Sequence, residues 1–161
     1  MQLTTTQLQT LKAAIAAETD PAFIALRTSG QTGAMADYYN TASSPAVKAW
    51  NKSQEAGATD EACDWTVFDA IVAGKRDSWG FFLQRTRDFS RAKIRKWVTD
   101  VWGNATAGSA AEAILQAATR TATKGEAVFG GTDRTTGTVT AKDLTIDGAI
   151  TNQNIVDALA S

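Results

Sequence analysis

A mainly α fold is what this sequence predicts: a compact multi-helix bundle, then an extended or β-hairpin appendage and a short terminal helix. Three observations predict it. Apolar residues recur at helical period in several stretches of residues 1–129, and good capping residues stand before many of those stretches. After Gly130-Gly131 the period changes to two, the spacing of a strand with one buried face. Only two prolines interrupt 161 residues. The expected division is a helical body over 1–129 and a Thr/Gly-rich C-terminal arm over 130–161.

Thr4 and Gln7 fit a capping box for a helix over Thr4–Glu18, with Leu8, Leu11 and Ile15 inward. Asp20-Pro21 restarts the chain as N-cap and first helical residue, where the missing N–H of proline costs nothing. A short helix over Thr32–Asn40 points Met35, Tyr38 and Tyr39 inward. Ser44-Pro45 repeats the cap-and-proline signature and predicts a helix over Pro45–Lys52. Gln54–Thr59 reads as a polar loop, and Thr59–Asp64 as one more turn. Thr66 with Asp69 caps a helix bearing Val67, Phe68, Ile71 and Val72, and Lys75–Arg85 continues with Trp79, Phe82 and Leu83.

Ser90 is the expected N-cap of the helix ending at Trp102. There Ile94, Trp97, Val98, Val101 and Trp102 form one apolar stripe, and Gly103 stops it. Ser109 with Glu112 and Thr123 with Glu126 open two further short helices. Val139 and Ala141, then Leu144 and Ile146, alternate with polar residues. Thr151 caps a last helix with Ile155, Val156 and Leu159. An isolated hairpin is marginal in water, so the arm needs the body or another subunit.

Composition excludes several kinds of chemistry. The chain has no histidine and one cysteine, Cys63. That removes the commonest general base, the Cys/His zinc spacings and an internal disulfide framework. Cys63 reads as a buried structural thiol. The glycine-rich stretches match neither a Walker A loop nor a dinucleotide fingerprint. Asp60, Glu61 and Asp64 are read as carboxylates complementing a helix N-terminus rather than as a cation site. No catalytic, cofactor-binding or metal residue is assigned, and no enzyme activity is expected. No apolar run approaches the ~18 residues of a membrane span, and the N-terminus lacks the pattern of a secretory signal. A soluble protein made in the cytoplasm is the expectation.

The formal net charge is −1, yet Gly74–Gly103 holds eight of the sixteen basic residues and three of the five tryptophans. Arg91, Lys93, Arg95 and Lys96 lie on or beside the polar side of the Ser90–Trp102 helix, where like charges repel and an anionic partner relieves them. Lys and Arg suffice for phosphate contact without base readout.

Ala36–Trp50 (ADYYNTASSPAVKAW), Phe68–Trp79 (FDAIVAGKRDSW), Ile94–Gly103 (IRKWVTDVWG) and Thr123–Asp133 (TKGEAVFGGTD) resemble small virion proteins of tailed bacteriophages, of the neck or head-to-tail adaptor class. The resemblance implies a mostly helical subunit in a ring, typically of twelve, beneath the portal protein. It implies a structural role joining capsid to tail, a place in the virion neck after synthesis in the bacterial cytoplasm, and further neck or tail proteins as partners. It implies a terminal segment docking on the portal or a neighbour; here Val139, Leu144, Ile146, Ile155 and Leu159 are its apolar anchors. The basic helix then faces packaged DNA, without sequence readout, or an acidic protein surface. The alternative is a non-specific DNA-binding phage protein using Ser90–Trp102.

Overall fold

The computed structural model describes residues 1–161. In chain order the elements are α1 (Thr5–Ala17), α2 (Pro21–Thr28), α3 (Thr32–Tyr39), β1 (Lys48–Trp50), α4 (Ala56–Glu61), α5 (Trp65–Asp69) and α6 (Ala73–Phe82). They continue with α7 (Ala92–Trp102), α8 (Ala110–Ala117), β2 (Thr119–Thr121), α9 (Lys124–Phe129), β3 (Gly131–Thr136), β4 (Val139–Leu144) and α10 (Asn152–Ala160). Ten helices and a four-stranded sheet in the order β2-β1-β4-β3 make the fold mixed α and β, not mainly α. The overlooked strands are short. β1 and β2 have three residues each, too few for a period to show, and they exist because partners elsewhere supply their hydrogen bonds.

Two compact units form, and both are discontinuous in sequence. Unit 1 joins Met1–Val47, Thr121–Thr132 and Leu144–Ser161; unit 2 joins Lys48–Arg120 and Asp133–Asp143. The compact units therefore do not follow the division at residue 129.

Unit 1 contains α1, α2, α3, α9 and α10. The capping boxes at Thr4, Thr123 and Thr151 all form, and Asp20 caps α2 through the Ala22 N–H. The core packs Leu11, Ile15, Phe23, Met35, Tyr39, Ile150 and Ile155. Residues 145–151 are latched to this core. Asn40 Nδ2 donates to the Ile150 carbonyl and Asn40 Oδ1 accepts from the Ile150 N–H, both at 2.8 Å. The buried Glu126 carboxylate accepts from the Thr123 and Gly148 N–H groups. At Gly125 an added Cβ would lie 2.5 Å from Ile150 Cγ1, so the close approach requires glycine.

Unit 2 holds α4–α8 and most of the sheet. β1 runs parallel to β4 with Ala49 opposite Lys142. β3 and β4 are joined by the two residues 137–138, a link only antiparallel neighbours permit. Gly137 turns at φ +60°, and a Cβ there would stand 2.0 Å from the Ala105 carbonyl oxygen. The core is an aromatic ladder. Trp65 meets Phe68 (5.0 Å between ring centroids), Phe68 meets Trp102 (5.6 Å), Trp102 meets Trp79 (5.4 Å), and Trp79 stacks on Phe82 (4.5 Å).

Three further expectations change. Pro45–Lys52 is not helical: the Ser44–Pro45 bond is cis, and Lys48–Trp50 is β1. The segment is extended because its neighbours use it in pairing: Asn51 N–H donates to the Ala118 carbonyl and Trp50 Nε1 to the Arg134 carbonyl. The Gln54–Thr59 loop gives way to α4. Ser90 does not cap α7; its hydroxyl binds Asp88 at 2.6 Å, and Arg91 stands at the N-cap with no side-chain bond.

The C-terminal anchors are core residues of this chain. Val139, Leu144, Ile146 and Ile155 are all buried, and only Leu159, at 44% exposure, faces solvent. Period-two apolar residues need an apolar neighbour, and the chain supplies it, so these four are not a free docking arm.

Candidate anion-binding face

The apolar stripe of α7 is seated as its spacing predicts, with Val98, Val101 and Trp102 buried and Ile94 and Trp97 half-buried. The four basic residues predicted on its other side have different fates. Arg95 is 3% exposed. Its Nη1 donates to the Phe89 and Ser90 carbonyls at 2.6 Å each, its Nε donates to Thr136 Oγ1 at 2.9 Å, and its guanidinium lies 4.9 Å from the Trp50 ring. Arg95 ties the start of α7 to β3 and cannot meet a partner. Its buried charge is tolerated because the fork is satisfied by oxygens and a ring face.

Arg91 is exposed but pairs with Asp88 at 2.9 Å. Burial tends to raise the Asp88 carboxyl, but bonds from Ser90 and Arg91 outweigh it and hold the pKa below the ordinary value. Lys96 pairs with Asp100 one turn on, at 2.6 Å. Lys93 alone of the four is exposed without an ion pair.

Helical spacing puts four residues of α7 on one face, at i, i+3, i+4 and i+7. Lys93, Lys96, Trp97 and Asp100 line a depression of about 460 Å³. The Trp97 indole N–H donates to Ser78 Oγ at 2.9 Å, which fixes the ring. The Arg87 guanidinium lies 5.5 Å from that ring and 4.9 Å from Phe82. It also donates to the Phe81 and Phe82 carbonyls at 2.8 Å, satisfying orphan groups at the end of α6. Burial first, and neighbouring Arg85 second, lower the Arg87 pKa. Arg85 itself is exposed and has no ion pair. The face therefore gathers Arg87, Lys93 and Lys96 around one tryptophan, with Asp100 the carboxylate lining the depression.

No family model, curated protein or solved structure matches this chain.

What the face can do follows from its chemistry. Cations around an aromatic ring, Lys93 among them without an ion pair, favour phosphate oxygens or carboxylates, with stacking or cation–π contact as a second term. Arg87 is visible in the sequence as part of the basic stretch, but nothing in its spacing says that it folds back over Trp97.

The remaining candidates resolve simply. Cys63 is buried, donates to the Thr59 carbonyl at 3.4 Å, and burial pushes its thiol up to about 11. Asp64 caps α5 through the Thr66 and Val67 N–H groups, whereas Asp60 and Glu61 stand at the C-terminal end of α4. No group of three or more Cys, Asp or Glu side chains is placed to hold a metal ion. No helix is long and apolar enough to cross a membrane.

Proposed function

We propose that this chain is a structural protein of a tailed-phage virion, an adaptor in the neck. It works by surface contact with copies of itself, with the portal and with other neck or tail proteins. The resemblance of Ala36–Trp50, Phe68–Trp79, Ile94–Gly103 and Thr123–Asp133 to that class motivates the reading. The observation that carries it is exposed contact surface on unit 2. Trp65, Val72 and Phe81 are 50%, 66% and 64% exposed, and Lys75 and Arg85 are exposed without ion pairs. Large apolar side chains left in solvent beside unsatisfied charge are what a binding surface offers. With Val139, Leu144, Ile146 and Ile155 buried, contact is made by the faces of the folded units and not by a released arm.

The Trp97 face favours a second reading, non-specific DNA binding by the isolated protein. Light scattering after size exclusion, with a DNA titration at two salt concentrations, separates the two. The adaptor reading expects a multi-subunit species or association on added portal, with weak DNA contact. Tight, steeply salt-dependent DNA binding by a monomer would replace it with the second reading.

A further inference from the structure

The two units carry opposite charge. Unit 1 holds three basic residues (Lys12, Arg27, Lys124) against six acidic ones (Glu18, Asp20, Asp37, Glu126, Asp147, Asp157), net −3. The chain total is −1, so unit 2 is net +2. Charge of this kind directs encounter and selects partners.

Unit 1 also has a cleft of about 760 Å³ whose lining includes Glu18, Asp20, Tyr38, Tyr39 and Lys124. Its rim is acidic and aromatic. The Tyr38 hydroxyl donates to Asp20 Oδ2 at 3.3 Å. The Lys124 ammonium sits 3.4 Å from the Tyr38 ring centroid, so the chain itself places a cation against this ring. Tyr39 is 2% exposed, and its hydroxyl has no hydrogen-bond partner. Burial first, then Glu18, raise the pKa of both tyrosines.

We infer that this cleft is the docking site for a second copy of this chain, taking the Arg85 side chain of that copy's basic face. The inference rests on the assembly reading above. Arg85 is singled out because it is exposed, lacks an ion pair and is repelled by Arg87, so a carboxylate relieves it. A guanidinium has five donors in a fixed fork, enough to serve the carboxylates of Glu18 and Asp20 together. The contact is heterologous: the acidic face of one copy meets the basic face of the next.

Sedimentation velocity of the full chain tests this. Glu18→Gln with Asp20→Asn removes both charges and keeps the cap of α2, since Asn caps as well as Asp. Arg85→Gln removes the inserted group from a position bonded to nothing else. Each variant alone should self-associate roughly tenfold or more weakly than the native chain. An equimolar mixture should form a 1:1 dimer and stop there, because each variant keeps one intact face. If the native chain associates and the Glu18/Asp20 variant associates equally well, the cleft is not the contact and the assembly reading survives. A native chain monomeric at every concentration and salt tested overturns self-docking; detection of the chain in purified particles then bears on the adaptor reading separately.

Discussion

Unit 1 is held by aliphatic side chains around Phe23 and two tyrosines and is acidic; unit 2 is held by a ladder of tryptophan and phenylalanine and is basic. Both use an arginine to finish a helix. Arg27 donates to the Ile15 and Ala16 carbonyls at the end of α1, and Arg87 to the Phe81 and Phe82 carbonyls at the end of α6. In unit 2, however, Arg87 and Arg95 also lie over aromatic rings. An aromatic core reaches outward and recruits cations as cover, so a count of basic residues overstates the charge available to a partner. What remains free of ion pairs, Arg85 and Lys93 among the cations of residues 85–96, is the part that can bind.

The comparison is tested most severely at the core of unit 2. Trp79→Ala removes a fully buried ring stacked on Phe82 and edge-on to Trp102, and should cost ~3–5 kcal/mol in a urea titration. The same truncation of Phe23 in unit 1 should cost a similar amount. A loss below ~1 kcal/mol at Trp79 would mean the ladder is not the support described.

Next in size is the split between structural and free cations. Arg95→Ala strands the Phe89 and Ser90 carbonyls and should cost ~2–4 kcal/mol. Arg95→Lys should restore only part, because one ammonium cannot reproduce the fork. Lys93→Ala, two residues away in sequence, should stay within about 0.5 kcal/mol of native. Equal effects at the two positions would erase the distinction.

Smaller again is Gly137→Ala, which forces a side chain into positive φ and against the Ala105 carbonyl and should cost ~1–3 kcal/mol. The response to base is of the same order. Burial raises the Cys63 thiol from 9.0 to about 11. The unfolded chain therefore loses its proton first, and stability should fall as pH rises from 9 toward 11, by up to about 1.4 kcal/mol per pH unit. Tyr38 in unit 1, raised from 10.0 to about 12 first by burial and then by Glu18, adds the same sign above pH 10. Cys63→Ala should flatten the lower window in a pH series of urea titrations. The smallest structural effect belongs to Arg85→Gln with Lys93→Gln. Folding should be unchanged within about 0.5 kcal/mol, while the salt slope of any DNA binding drops by about 2.

Local signals were legible where the residues settle the structure among themselves. The capping boxes at Thr4, Thr123 and Thr151, the Asp20-Pro21 start and the stripe of α7 all stand where the sequence puts them. What failed depends on partners far along the chain. Lys48–Trp50 is a strand because β4 lies alongside it, although Ser44-Pro45 carries a helix-start signature. Val139 and Ile155 look like spare anchors until their own cores receive them. Of the predicted contact residues, Lys93 keeps its freedom, Lys96 and Arg91 are held by Asp100 and Asp88, and Arg95 is buried. The acidic cleft had no signal at all, since Glu18, Tyr38 and Lys124 are separated in sequence and meet only in the fold.

Quantitative mass spectrometry of purified phage particles tests the central claim most directly. A neck adaptor predicts this chain in every preparation at a fixed ratio to the portal, retained after salt washing. Its absence from particles that carry the portal, with the chain abundant in the infected cell, would contradict the account.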